Sequence, residues 1–262
     1  MKLQTASALS LIAATLTLAT APAQAFSGFS FTTDYSPKPA DPNKDIKLES
    51  VTYGGKTYSD FGLVTKAVIQ TNDRTTRFQG GPGSSDNGDG TVADAYLPEG
   101  PRVENPTNAD IVASLGNLNL NSIIDTEDNL GISVIDVYFK KPTKTFFFFE
   151  RGMNSDLLVD ALDAAGNVVD TFKITRGMFG ANPAGYSINT TEIDKAQEVG
   201  SYGLTLNRND VIGLRLSSDK TMNGPDYKVF AKVPEPATIA ALGTVAGLAV
   251  LARRKKNQES AQ

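Results

Sequence analysis

The 262-residue chain has no cysteine, no histidine and no tryptophan. Without cysteine there is no disulfide, and no thiolate to act as nucleophile or metal ligand. Without histidine the Ser-His-Asp triad, His-ligated zinc and haem are excluded too. A catalyst on this chain would have to use carboxylates, lysine, serine or tyrosine. A sugar-binding face would have to use tyrosine in place of indole; Tyr53, Tyr58, Tyr96, Tyr186 and Tyr202 are the candidates. Between the two ends no segment shows a long 3.6-residue period with caps, and there is no internal repeat.

What the chain does have is an apolar run at each end. Met1-Lys2 gives a minimal basic start, residues 8–21 are apolar except for Ser and Thr, and Ala23-Gln24-Ala25 is a small-x-small cleavage site. This pattern predicts a leader over residues 1–25, cut so that the mature chain begins at Phe26. The other end reads Val233-Pro234-Glu235-Pro236, then a weakly apolar run from Ala237 to Ala252, then Arg253-Arg254-Lys255-Lys256. As a helix, residues 237–252 would be about 24 Å long, short of the roughly 30 Å hydrocarbon core. Arg253 and Lys255 can extend it by snorkelling, and the basic cluster fixes the cytoplasmic side. The expected topology has the domain outside the inner membrane and the tail inside.

Residues 26–232 form the domain between these ends. The whole chain carries −4; the leader contributes +1 and the tail from Pro234 contributes +2, which leaves the domain at −7. That charge argues against nucleic acid and against anionic lipid headgroups. The domain reads as strands almost throughout. Ile132 to Phe139 is a strong strand, and Thr145-Phe146-Phe147-Phe148-Phe149-Glu150 is the domain's densest apolar patch. Leu157–Leu162 and Val168–Ile174 flank Asp163-Ala164-Ala165-Gly166-Asn167 as a hairpin. Apolar positions 46, 48, 51 and 53 slip by one, which predicts a bulge. Residues 107–116 could form one short helix capped by Thr107 or Asn108. The fold class is therefore all-β, an antiparallel β-sandwich or jelly-roll-like domain between a cleaved signal peptide and a single C-terminal transmembrane sorting helix.

The chemistry is thin. Glu150, at the end of the phenylalanine run and before Arg151, is the most interesting carboxylate; a strand-end salt bridge is its plainer explanation. Ser85-Asp86-Asn87-Gly88-Asp89-Gly90 partly matches a calcium loop, with Asn87 and Asp89 at ligand positions. Tyr96 stands where the closing acid belongs, so a glycine-rich turn is the alternative. Asn189-Thr190-Thr191 matches a glycosylation sequon.

Taken together, Ala23-Gln24-Ala25 and Val233-Pro234-Glu235-Pro236 with its apolar run and basic end resemble the PEP-CTERM, exosortase-sorted class. Phe146 to Leu157 followed by Asp160 to Asn167 resembles a family of exosortase-dependent surface proteins seen in cyanobacteria. The resemblance implies a non-catalytic protein exported through the Sec translocon, held transiently in the inner membrane and processed by an exosortase. It implies the cell surface or extracellular matrix as destination and exopolysaccharide or biofilm as setting, with no cofactor. In that reading Pro234, Glu235 and Pro236 are recognised, and Arg253, Arg254, Lys255 and Lys256 stop transfer. A secreted carbohydrate-active enzyme using carboxylates and a calcium-stabilised adhesin are the alternatives for the domain.

Overall fold

The computed structural model describes residues 26–72, 83–85, 106–126, 132–190, 195–218, 221 and 223–234. In chain order the strands are β1 (Ser27–Phe29), β2 (Thr32–Ser36), β3 (Lys47–Tyr53), β4 (Lys56–Tyr58), β5 (Phe61–Gly62), β6 (Val64–Asn72), β7 (Gly83–Ser85), then helix α1 (Asn108–Leu115). There follow β8 (Ile123–Asp125), β9 (Ser133–Thr143), β10 (Thr145–Arg151), β11 (Leu157–Leu162), β12 (Val168–Ile174) and helix α2 (Arg176–Gly180). The last four are β13 (Pro183–Ile188), β14 (Gln197–Thr205), β15 (Val211–Ser218) and β16 (Asp226–Lys232).

These strands build three antiparallel sheets. The largest runs β1-β14-β10-β16-β8-β7, with β13 beside β14 and β5 beside β16. A second runs β12-β11-β15-β9-β6, and a third β2-β3-β4. The large sheet is the middle layer. Phe146, Phe148, Leu204 and Val229 face one core with Ile135, Val137, Val159 and Leu214 of the second sheet. Phe147, Phe149 and Phe230 face another core with Leu48 and Val51 of the third sheet. A strand covered on both faces needs apolar side chains at every position, and this is why four phenylalanines stand in a row. All four are at most 1 % exposed. The expected sandwich is therefore present with a third sheet on its back.

Local chemistry fixes the details. Thr107 caps α1: its hydroxyl accepts from the Asp110 amide, and the Asp110 carboxylate takes the Thr107 amide in return. On β3 the pairing passes from Ser50 to Leu48 opposite the adjacent Asp34 and Tyr35, so Glu49 is the bulged residue. Gly166 at φ 82° turns the β11–β12 hairpin. The polar stretch Lys140 to Lys144 is less of a turn than its composition suggests. β9 continues through Pro142 to Thr143, which pairs with Val211, and Lys144 alone separates it from β10.

Candidate functional site

The C-terminal segment leaves from the middle of the fold. β16 is bonded to β10, β8 and β5, and its last residue, Lys232, pairs with Phe61. The Lys232 carbonyl accepts the Thr143 hydroxyl at 2.8 Å, and its ammonium lies 4.2 Å from the centre of the Tyr58 ring. Val233 and Pro234 follow, half-buried and outside the ladder; Pro234 has no amide proton to continue it. A cavity of about 260 Å³ opens here, with Phe61, Leu63, Phe139, Lys140, Lys141 and Lys232 among its walls. Lys144 is at the same end, its carbonyl bonded to the Leu206 amide at 2.8 Å.

The acids of interest lie at the opposite end of the same sheet. β10 alternation sends Glu150 and Arg151 to opposite faces, so the salt bridge expected between these neighbours does not form. Arg151 instead reaches across the register to its partner Asp226: Nη1 lies 3.2 Å from Oδ2. It also donates to the Ile188 and Lys195 carbonyls at 3.3 and 2.8 Å. Burial pushes Asp226 up to about 7, against a hydrogen bond with Asp125 and the pull of Arg151. Glu150 is fully buried, and neither carboxyl oxygen has a partner of good hydrogen-bond geometry. Burial pushes it well above the usual carboxylate range, opposed by the Met153 and Asp226 amides. Immediately beyond, Gly152 at φ 94° and Met153 at φ 52° turn the chain over it. Glu150 is thus sealed from solvent.

Residues 232–256 match the family model for the PEP-CTERM protein-sorting motif. The chain carries a PEP-CTERM sorting signal. No curated protein and no solved structure matches the chain. The PEP-CTERM signal implies an exported protein sorted to the cell surface, with exosortase as its processing partner. It begins on Lys232, the last residue of β16, so signal and fold abut without a linker. Of its recognition residues Pro234 is described. Glu235, Pro236, the 237–252 run and Arg253 to Lys256 lie outside the described residues, as do Ala23, Ala25, Asn87, Asp89 and Tyr96. Among the described residues no helix is long and apolar enough to cross a membrane, and no group of three or more acidic, His or Cys side chains could hold a metal.

The remaining sequence candidates are dispersed. Tyr53 and Tyr58 meet at 5.0 Å between ring centres, with Phe29 stacked on Tyr53 at 4.5 Å; all three are half-buried. Tyr186 is buried, and Tyr202 stacks on Phe172 at 6.4 Å. Asn189 of the sequon is buried, and its amide donates to Asn43 at 3.0 Å. Sequence reasoning missed Lys228, which is fully buried. It bonds the Ser114 carbonyl and, at 2.9 Å, Asn117 Oδ1, just where α1 ends. A lone cation in the alternation Tyr227-Lys228-Val229 was the available signal.

Proposed function

We propose that this is a non-catalytic surface protein. It is exported through the Sec translocon, parked in the inner membrane by residues 237–252, and released by an exosortase to the cell surface or extracellular matrix, where the domain associates with polysaccharide. The observation that carries the reading is the contiguity of fold and signal: Lys232 closes a central strand, and the Pro234-Glu235-Pro236 motif starts two residues later. The prolines keep this stretch out of both the ladder and the helix, so Glu235 is presented to a protease at the membrane face. The non-catalytic reading is supported by the closure around Glu150. The half-exposed cluster of Phe29, Tyr53 and Tyr58 supports contact with sugar rings.

Cell fractionation of the Glu235→Ala variant tests it. Export should persist while the protein accumulates in the inner membrane. Wild-type release of that variant would overturn the assignment of Glu235 to recognition.

A further inference from the structure

The −7 charge of the domain is an average over an uneven surface. At the end where the chain leaves, Lys140, Lys141 and Lys144 are exposed, and no ion pair is formed by these three among the described residues. Lys232 stands beside them in the wall of the cavity, and Lys66 lies over the ring of Tyr138 on the adjacent strand pair. The described walls of that cavity contain no acidic residue. Arg208 and Asp210, in the loop after β14, neutralise one another through two contacts of 2.6 Å. Asp163 and Asp170 lie near Arg208, and Asp60 and Glu235 flank this end in sequence, so the positive charge is local to the cavity rim and the exposed Lys140, Lys141 and Lys144. The cavity floor is apolar, built by Phe61, Leu63 and Phe139.

Position along the chain says what this face meets. Two residues, Glu235 and Pro236, separate Pro234 from the apolar run that starts at Ala237. That gap spans at most about 10 Å when extended. The run itself is shorter than a bilayer core by roughly 6 Å, which draws the domain down rather than holding it off. The lysine face therefore sits within about one Debye length of the headgroups.

We propose that this pole docks on the anionic phospholipid headgroups of the leaflet from which the tail emerges, the lysines meeting phosphate and the apolar floor tolerating the upper acyl region. The inference rests on the membrane-parked reading above. Each lysine held at an anionic surface favours the docked state about fivefold. Docking would fix the orientation of the Pro-Glu-Pro segment towards a protease in the same membrane.

The lack of cysteine makes the test clean. Full-length protein carrying a single labelled cysteine, Pro142→Cys at the lysine pole or Ala181→Cys just after α2 near the other end, is reconstituted in vesicles. One set is zwitterionic phosphatidylcholine, and the other contains about one-third phosphatidylglycerol. Quenching by lipid-borne nitroxide reports approach, and flotation reports tail insertion. The expected result is at least about twofold stronger quenching at residue 142 in the anionic vesicles, absent at residue 181 and lost near 0.5 M salt. Combining Lys140→Gln, Lys141→Gln and Lys144→Gln should remove the increment with flotation unchanged. Protein that floats with both vesicles but is quenched equally in them overturns the docking proposal alone. Protein that fails to float overturns the membrane-parked reading and this one with it. A response at residue 142 to a soluble acidic polysaccharide, with none to anionic lipid, would assign the face to the polymer and overturn the lipid proposal.

Discussion

The backbone nitrogen of Phe26 donates to the carboxylate of Asp170 on β12. The Phe26 ring is buried, packed edge-on against Phe172 at 6.3 Å between centres. The residue expected to become the mature N-terminus is thus already seated in the fold, its nitrogen against an acid. Leader cleavage after Ala25 would turn that amide into an ammonium and the hydrogen bond into an ion pair.

Thermal melts check this pairing. In protein beginning at Phe26, acetylating the α-amine should cost about 1 kcal/mol, a shift of roughly 2–4 °C. In Asp170→Asn the acetylation effect should vanish. An equal effect in both backgrounds would show that the ammonium does not pair with Asp170.

The three-layer arrangement makes a prediction that a two-layer sandwich does not. Phe147→Ala and Phe148→Ala point to different cores, and each should destabilise by about 3–5 kcal/mol. Denaturant unfolding decides the matter. If one of the two proves nearly silent, one face of β10 is open and the third sheet does not cover it.

The sequence made some parts of this fold plain. The β11–β12 hairpin falls on the expected residues because its alternation and its Gly166 loop agree. The Thr107 cap and the β3 bulge at Glu49 were similarly readable, since each rests on a few neighbouring residues. The phenylalanine run announced a buried strand but not its two cores: when both faces are apolar, alternation no longer tells one from the other. The third sheet was obscure because β2 and β4 are short and their partners are set by packing. The Arg151–Asp226 pair could not be read from spacing, as 75 residues separate the partners and strand order alone brings them together. The sorting signal was legible because it is local: a short motif whose chemistry does not depend on the rest of the fold.

Glu150 should make the domain less stable as pH rises. Its folded pKa lies above the unfolded value near 4.5, so the folded form holds a proton that the unfolded chain releases. Stability is then greatest below about 4.5 and declines as pH rises towards the folded value, by up to about 1.4 kcal/mol per pH unit. Asp226 adds a decline of the same sign between about 4 and about 7. Glu150→Gln should match wild type near pH 4, gain on it as pH rises, and flatten the profile. Urea melts between pH 4 and pH 8 measure this; a gain that shrinks with pH would mean that Glu150 is ionised in the fold.

Removing Arg253, Arg254, Lys255 and Lys256 together should let more of the tail pass into the periplasm, because nothing then arrests translocation on the cytoplasmic side. Protease accessibility of a C-terminal tag in spheroplasts reports it. Unchanged topology would make the four charges incidental.

The most direct test of the account is the intact mass of the protein recovered from the cell surface. The account predicts a chain that starts at Phe26 and has lost the apolar run from Ala237 to Ala252. A surface form that still carries that run and its four basic residues would contradict it.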